Sequence, residues 1–288
     1  MGTPGTVLVT GTRGFVGSHV VEALARRGAE PVAFEGDYHD VAHVERALRT
    51  VAPSALVHSA WRVAGTSYDD PVHLDEMCAS LRLFTAAGNA GCDRVVGIGT
   101  CFEYDLSNGP TLEDAPLVPR QVYGAAKAAL FLAARAWADG AGTTFAWARL
   151  YHPYGPREAP YRLIPSVVNA LLRGERVATT AGRQLRSFIH VEDAADAIAA
   201  ITLADASGAF NIGVADVTSV RDVVDRLSQL AGRPDLVDVG ALASRPGDPE
   251  VLWPAVSRLT EIGWRPSRTL DQGLEETVAW WRRAMAIV

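Results

Sequence analysis

The chain has 288 residues, of which 48% are hydrophobic and 21% are charged, values typical of a globular protein that is long enough to bury a core. The formal net charge of −6 argues against nucleic-acid binding, and no apolar run approaches the roughly 20 residues that span a bilayer, so we expect no membrane partner. The cysteines Cys78, Cys92 and Cys101 are scattered and odd in number, which favours reduced thiols in a cytoplasmic protein over a disulfide framework or a zinc site.

Predicted strands and helices alternate along the first half of the chain. In chain order they are a strand at 6–11, a helix at 18–30, a strand at 31–34, a helix at 43–51, a strand at 54–60, a helix at 73–91, a strand at 94–100, a helix at 121–140 and a strand at 143–151. Such alternation is typical of a parallel sheet that helices cover on both faces. We therefore predict an α/β fold with a doubly wound parallel sheet.

The pattern loosens after about residue 152, where loop-forming residues become more frequent. We predict a first domain at 1–151 and a smaller C-terminal lobe at 152–288. A strand followed by a helix at 186–201 could return to the main sheet. The first domain is therefore expected to be rejoined by about 186–204, with the two parts interleaved.

The stretch VLVTGTRGFVGSHV places three glycines between the first strand and the first helix. Glycines here allow a tight turn and let a pyrophosphate approach the backbone, where the helix N-terminus faces its negative charge. A strand that leads through such a loop into a helix predicts a Rossmann-type dinucleotide-binding domain. The loop residues assigned to the cofactor are Gly11, Thr12, Arg13, Gly14, Phe15, Val16 and Gly17.

The choice between NAD and NADP rests on two residues that point in opposite directions. Glu35 lies near the usual position of an acidic residue that binds the ribose of NAD. Arg13 can instead pair with the 2′-phosphate of NADP, although a solvated loop arginine is an equally good interpretation. We take NADP as the expected cofactor and NAD as the alternative.

The segment QVYGAAKAAL carries Tyr123 and Lys127 in a stretch of small and apolar residues. Residues four apart lie on one face of a helix, and a positive charge beside a phenol lowers its pKa. The pair can therefore provide a proton donor near neutral pH. Taken alone, the spacing is also consistent with coincidence, since Tyr and Lys occur four apart in many helices.

Together with the glycine loop, this pair makes the chain similar to the extended short-chain dehydrogenase/reductases, specifically their nucleotide-sugar epimerase/dehydratase/reductase branch. The resemblance covers essentially the whole chain, because its segments follow in the order of the family. These segments are RVVGIGTCFEYD, LEDAPLVPRQVYGAAKAAL, RLYHPYGPRE, RSFIHVEDAADAI, FNIG, RPGDPE and EIGWRPSRTLDQGLEETVAWW. The resemblance implies that the C-terminal lobe binds the substrate.

The resemblance also implies roles for individual residues. Tyr123 would donate a proton to the substrate oxygen, Thr100 would hydrogen-bond that oxygen, and Lys127 would hold the nicotinamide ribose. The further cofactor contacts implied are Asp37 and Tyr38 near the adenine, and Ser59 and Ala60 beside the phosphates and ribose.

For the substrate, the resemblance implies that Arg186 and Arg245 hold the nucleotide diphosphate, since arginine forks suit phosphate oxygens. His152 stands where many members of the branch have an asparagine. We interpret it first as a hydrogen-bond partner of the substrate, then as a second acid/base group, then as a packed histidine. No metal site is expected.

Two positions depart from the dehydratases of this branch, in which an Asp-Glu pair directly follows the catalytic Ser/Thr. This chain has Cys101 and Phe102 there, so dehydration is not expected. The epimerase-reductases that make GDP-fucose have a cysteine at the position of Phe102, so their chemistry is also doubtful here. Glu103 would point to the other face of a strand.

The minimal set of cofactor, Tyr123, Lys127 and Thr100 supports either simple carbonyl reduction or a redox epimerisation at C4. The compact segment PVAFEGDYHDVAHVERAL resembles the fucose- and rhamnose-pathway reductases more than the dehydratases. On that resemblance we expect NADPH-dependent reduction of the 4-keto group of an NDP-4-keto-6-deoxy sugar, taken as dTDP-linked. The alternatives are an NAD-dependent nucleotide-sugar C4 epimerase and a non-catalytic dinucleotide sensor. The helical segments 77–87 and 125–138 are broadly apolar, so we expect them to form the interface of a homodimer.

Overall fold

The computed structural model describes residues 5–63, 65–106, 110–244 and 247–286. The first half of the chain alternates strands and helices, which confirms the predicted α/β fold. Its elements are β1 (Thr6–Thr10), α1 (Phe15–Arg26), β2 (Glu30–Ala33), α2 (Val41–Val51), β3 (Ala55–His58), α3 (Val72–Asn89), β4 (Arg94–Thr100), a 3-10 helix (Cys101–Glu103), α4 (Val122–Ala141) and β5 (Thr144–Leu150).

The second half of the chain contains shorter strands and five further α-helices among the described residues. Its elements are β6 (His152–Tyr154), α5 (Leu163–Leu172), β7 (Val177–Ala178), β8 (Leu185–Arg186), β9 (Phe188–His190), α6 (Val191–Leu203), β10 (Gly208–Ile212), β11 (Thr218–Ser219), α7 (Val220–Ala231), a 3-10 helix (Pro234–Leu236), β12 (Val237–Asp238), β13 (Val251–Leu252), α8 (Ser257–Glu261) and α9 (Leu270–Ala286). No helix in the described ranges is both long and apolar enough to cross a membrane.

The main sheet has the strand order β10-β5-β4-β3-β1-β2, and its neighbouring strands are parallel. The chain adds β2 on one side of β1 and then crosses to add β3 on the other. The switch point of the topology therefore lies between β1 and β3. Open α/β sheets bind their ligands at such a point, outside the carboxyl ends of the strands.

Helices cover both faces of this sheet. Along β1, Val7 and Val9 pack into the core shared with α1 and α6, whereas Leu8 packs into the core shared with α2, α3 and α4. Successive side chains of a strand point to opposite faces of the sheet. The uninterrupted apolar run of β1 therefore contributes side chains to the cores on both faces.

The second half of the chain contributes to the main sheet and also forms a core of its own. Helix α6 packs against α1, and β10 pairs with β5 at the edge of the sheet. Strand β9, which precedes α6, pairs with β6 instead. Helices α5, α7 and α9 surround a separate apolar core that includes Val168, Val223 and Leu274.

Candidate active site

A cleft with a volume of about 500 Å³ opens at the carboxyl ends of β1 and β3. Much of its lining consists of residues that the sequence assigned to the cofactor: Gly11, Thr12, Arg13, Gly14, Asp37, Tyr38, Ser59 and Ala60. The loops after β1, β2 and β3 all contribute to this cleft. It therefore lies at the switch point, where an open α/β sheet binds its ligand.

The glycine loop is shaped by close approaches of the backbone. Gly11 has a φ of +70°, which glycine adopts at little cost, and a Cβ on it would lie 2.6 Å from the Ala60 nitrogen. A Cβ on Gly17 would lie 2.2 Å from the Gly11 carbonyl oxygen. Phe15 and Val16 begin α1 and, like Gly17, lie beside the cleft rather than in its lining. The loop fits a group that must approach the backbone closely, as a pyrophosphate does.

The buried carboxylate of Glu76 organises the far side of the cleft. It accepts hydrogen bonds from the Tyr38 hydroxyl and the Arg62 backbone N–H, and its Oε1 lies 3.2 Å from Nε2 of His39. Burial and then the bond to Glu76 raise the pKa of Tyr38. The sequence analysis missed this cluster. The only signal of it in the sequence was that Glu76, an acidic residue, shares the buried face of α3 with Leu83.

Thr100 ends β4, and Tyr123 lies in the first turn of α4. The Tyr123 N–H donates to the Tyr68 carbonyl at 2.8 Å, and a Cβ on Gly124 would lie 2.3 Å from the Phe102 carbonyl oxygen. The start of α4 is thus packed tightly against the turn that follows β4. This packing brings Tyr123 near enough to Thr100 for the Thr100 side chain to act on the pKa of the phenol.

The pKa of Tyr123 is raised above its ordinary value. Burial is the main cause, the neighbouring Tyr68 adds to the rise, and the hydrogen bond with Thr100 opposes it. The expectation that Lys127 lowers this pKa was wrong, because burial outweighs the other contributions. The phenol is therefore protonated at neutral pH, which is the form that a proton donor needs.

Lys127 lies one turn further along α4 and is buried. Its Nζ donates to the Ile98 carbonyl at 2.7 Å and lies 3.5 Å from the centroid of a Trp61 ring. Burial lowers its pKa to about 7, against the attraction of Glu103 and Glu76. Its charge is therefore lost as the pH rises through about 7.

The residues expected to bind the substrate come from the second half of the chain. Arg186 in β8 is buried and donates to Asp248 at 2.6 Å. Burial, followed by the charges of Arg186 and Arg162, lowers the pKa of His152 to about 3, and no described residue hydrogen-bonds its buried Nδ1. His152 is therefore a neutral imidazole at pH 7, which favours hydrogen bonding over acid/base chemistry. Arg245 lies outside the described residues, so its role stays a prediction.

Residues Cys101–Glu103 form a 3-10 helix, so the expectation that Glu103 points to the other face of a strand was wrong. Glu103 is fully buried and accepts hydrogen bonds from Trp147 Nε1 at 3.0 Å and from Arg149 Nε at 2.7 Å. The Arg149 guanidinium also donates to the Tyr104 hydroxyl at 2.7 Å. Burial raises the pKa of Glu103, and the charge of Arg149 opposes that rise.

Two glycines in β4 make room for this buried network. A Cβ on Gly97 would lie 2.3 Å from the Trp147 ring, and a Cβ on Gly99 would lie 2.3 Å from Glu103 Oε1. Glycine weakens the interior of most strands, but here it permits another group to approach closely. Glu103 also accepts the Thr100 backbone N–H at 2.8 Å. The network therefore fixes the end of β4 at the residue assigned to catalysis.

The three cysteines are free thiols. Cys78 is exposed, whereas Cys92 and Cys101 are buried. Burial raises the pKa of Cys101 to about 12, so this thiol is not ionised at neutral pH. In the part of the chain that the structure describes, no group of three or more His, Cys, Asp or Glu residues is placed to hold a metal ion.

The order of these elements matches a known family. The family model "NAD dependent epimerase/dehydratase family" matches residues 7–213, a range that includes the glycine loop, Thr100, Tyr123 and Lys127. The chain belongs to this family. This membership confirms the resemblance that was inferred from the order of the sequence motifs.

Two relatives align with nearly the whole chain. UDP-glucose 4-epimerase of Azospirillum brasilense is 30% identical, over 97% of this chain and 92% of that protein. dTDP-glucose 4,6-dehydratase of Streptomyces griseus is 30% identical, over 96% of this chain and 94% of that protein. The chain is therefore similar to both epimerases and dehydratases of nucleotide sugars.

Solved structures show the same similarity in three dimensions. UDP-N-acetylglucosamine 4-epimerase from Methanobrevibacter ruminantium, in complex with UDP-N-acetylmuramic acid, has a TM-score of 0.89 at 25% identity and covers 98% of this chain and 100% of its own. The complex of Thermus thermophilus UDP-glucose 4-epimerase with NAD has a TM-score of 0.87 at 26% identity and covers 97% of this chain and 99% of its own.

Proposed function

We propose that this protein is an NADPH-dependent reductase of the 4-keto group of an NDP-4-keto-6-deoxy sugar, dTDP-linked by preference, in deoxysugar biosynthesis. The observation that carries the proposal is a complete set of Thr100, Tyr123 and Lys127 beside two side chains that are unsuited to elimination. Cys101 is a buried thiol whose pKa is raised to about 12, and Phe102 has no titratable group. Positions 101 and 102 therefore supply no carboxyl group for dehydration, whereas Thr100 and Tyr123 supply groups for proton donation.

In the proposed reaction, Tyr123 donates its proton to the carbonyl oxygen of the substrate. When bound, the nicotinamide cofactor supplies the hydride that reduces the carbonyl carbon. The Thr100 hydroxyl oxygen accepts the Phe102 N–H at 3.3 Å, and in the proposed reaction the hydroxyl donates its hydrogen to the substrate oxygen. Lys127 contributes its buried Nζ as a hydrogen-bond donor for the nicotinamide ribose. These side chains fix the position of the carbonyl before the proton moves.

The second half of the chain would hold the substrate. Arg186 binds the diphosphate, since a guanidinium matches phosphate oxygens in shape and charge, and Arg245 is assigned the same role by resemblance. His152 donates or accepts one hydrogen bond with the sugar as a neutral imidazole. Arg162, whose charge acts on His152, adds positive charge to this end of the site.

The cleft favours NADP over NAD as the cofactor. Arg13 and Arg62 both line it, and both are exposed. Glu35 is not part of the lining, and the carboxylate of Asp37 is engaged by the His39 N–H at 2.9 Å. Arg13 is therefore placed for a 2′-phosphate, whereas Arg62 already pairs with the Glu76 carboxylate at 3.5 Å.

Arg13→Ala is expected to weaken NADP(H) binding by on the order of tenfold or more, because a charge-assisted hydrogen bond is worth about 1.5–3 kcal/mol. NAD(H) binding is expected to change little. The measurement is the dissociation constant of each cofactor by fluorescence titration. Arg46→Ala, which removes another exposed arginine from α2, is the control. Equal losses for both cofactors would show that Arg13 contacts only parts that the two dinucleotides share.

An NAD-dependent C4 epimerase of nucleotide sugars is the second candidate. The relative from Azospirillum brasilense and the structure from Thermus thermophilus are both UDP-glucose 4-epimerases. The same three side chains can support oxidation of C4 followed by its reduction from the other face. Such an enzyme regenerates its cofactor and consumes none. A dinucleotide sensor would need none of these three side chains.

The two enzymatic candidates differ in their consumption of NADPH. Given dTDP-4-keto-6-deoxyglucose, the protein is expected to oxidise NADPH in equal amount to the sugar product, measured by absorbance and chromatography. UDP-glucose, tested in parallel, is expected to remain unchanged. Conversion of UDP-glucose without net loss of cofactor would instead favour the epimerase. Binding of dinucleotide with no turnover of either sugar would favour the sensor.

The outer faces of α3 and α4 support a two-fold dimer. The two helices lie side by side, and Leu74 and Leu132 are 48% and 46% exposed on them. Ala125 and Ala129 extend this apolar face along α4. We expect light scattering to give a dimeric mass for the parent protein and a monomeric mass for Leu132→Asp. Leu203→Asp, at a position 38% exposed on α6, should remain dimeric, and a monomeric parent would contradict the proposal.

A further inference from the structure

Tyr123 lies in a cluster of aromatic side chains to which the proposed reaction gives no role. Tyr68 stacks on Tyr123 with ring centroids 5.2 Å apart and an interplanar angle of 18°. Phe102 lies 5.6 Å from Tyr68, and Trp61 lies edge-on to Tyr123 at 6.3 Å. All four side chains are half-buried, so each keeps part of its surface accessible at the carboxyl edge of the sheet.

The polar atoms of this aromatic cluster are largely engaged within the protein. Trp61 Nε1 donates to His73 Nδ1 at 3.2 Å, and His73 Nε2 in turn lies 2.9 Å from the Ser67 carbonyl oxygen. The Tyr68 hydroxyl accepts a hydrogen bond from Arg162 at 3.2 Å. Phe102 has no polar atom. Apart from the Tyr123 hydroxyl and the Tyr68 hydroxyl, whose oxygen accepts from Arg162, the cluster therefore presents ring faces and C–H edges.

The polar groups available to a ligand lie elsewhere in the site. They are the Thr100 hydroxyl, the buried Nδ1 of His152, which no described residue bonds, and the guanidinium of Arg186, which would exchange Asp248 for the diphosphate. Consider a sugar with its reacting oxygen at Tyr123 and its diphosphate at Arg186. Its other substituents then lie either beside these polar groups or against the aromatic cluster. A hydroxyl group packed against the ring faces of the cluster loses its hydrogen bonds to water, and the rings provide none in return. An apolar group in the same place is stabilised by burial.

We propose that the rings of Tyr68 and Phe102 form a subsite for the C6 methyl group of the substrate and so select 6-deoxy sugars over their 6-hydroxy counterparts. Of the two carbons next to C4 in such a sugar, C5 carries the methyl group and C3 a hydroxyl. Only the methyl group can be buried against rings without losing hydrogen bonds. This inference rests on the proposed function, which places C4 at Tyr123.

The test compares two sugar nucleotides that differ only at C6. Isothermal titration calorimetry of the NADP-saturated protein with dTDP-6-deoxyglucose and with dTDP-glucose is expected to give at least on the order of tenfold tighter binding of the deoxy sugar. Phe102→Ser should bring the two affinities close together, whereas Phe102→Leu, which keeps the surface apolar, should retain the preference. Tyr68→Asn provides a second polar replacement if Phe102→Ser fails to fold, as judged by circular dichroism.

The outcomes separate this inference from the proposed reaction, because binding of either ligand requires no turnover. Equal affinities in the parent protein, or an unchanged preference in a folded polar variant, would overturn the subsite even if the protein reduces a 4-keto-6-deoxy sugar. A clear preference without any reduction would overturn the proposed reaction and leave the subsite in place. Failure of both ligands to bind would overturn both.

Discussion

Tyr123→Phe is expected to lower turnover in the proposed reduction by about 10²–10⁴-fold, the usual size of a general-acid contribution. The substitution removes the phenol hydroxyl and keeps the ring that stacks on Tyr68. We therefore expect the fold and the NADPH affinity to change little. Single-turnover NADPH oxidation measures the first effect, and a binding titration measures the second.

Tyr161→Phe makes the same chemical change at an exposed position and is expected to leave both quantities unchanged. A Tyr123→Phe protein as active as its parent would show that another group donates the proton. A protein that loses NADPH binding together with turnover would show that the Tyr123 hydroxyl serves the cofactor instead.

Glu103→Gln is expected to lower the free energy of unfolding by about 3–5 kcal/mol, because it leaves the buried charge of Arg149 without its partner. Both side chains of this pair are fully buried, so water cannot replace the lost interaction. Turnover should fall as well, since the Glu103 carboxylate holds the Thr100 backbone N–H. Urea denaturation measures the stability, and NADPH oxidation measures the turnover.

The exposed helical pair of Arg221 and Asp225 provides the contrast. Asp225→Ala breaks this pair and is expected to cost only about 0.3–0.5 kcal/mol. If Glu103→Gln cost no more than this control, the Glu103–Arg149 pair would contribute little to the stability of the fold. Replacement of both Glu103 and Arg149 by methionine should destabilise less than Glu103→Gln alone, because no buried charge then remains.

The succession of strands and helices could be predicted because it depends on local patterns. The strand predicted at 94–100 is Arg94–Thr100 in the structure, and the helix predicted at 121–140 is Val122–Ala141. Strand β10 was not predicted, since its sequence is short and its place beside β5 depends on the path of the chain through the second half. The order of motifs predicts that Thr100, Tyr123 and Lys127 act in one site, and this assignment stays a prediction.

The contacts around that site could not be predicted, because they join residues that are far apart in sequence. Glu103 accepts hydrogen bonds from Trp147 and Arg149. The only sequence feature that indicates this packing is the pair of glycines in β4, which leaves room for the Trp147 ring. Glu76 meets Tyr38 from another helix. The direction of the Tyr123 pKa shift was also missed, since burial is a property of the folded chain and not of a four-residue spacing.

The strand order has a consequence for synthesis of the protein. N-terminal segments leave the ribosome first, so one edge of β5 stays unpaired while residues 151–207 are made. Asn211 of β10 accepts a hydrogen bond from the Tyr104 hydroxyl at 2.8 Å, and Tyr104 in turn accepts one from Arg149. The buried network around Arg149 therefore also lacks Asn211 during this interval. An open apolar strand edge is a template for aggregation. That edge of β5 is closed only when β10 pairs with it.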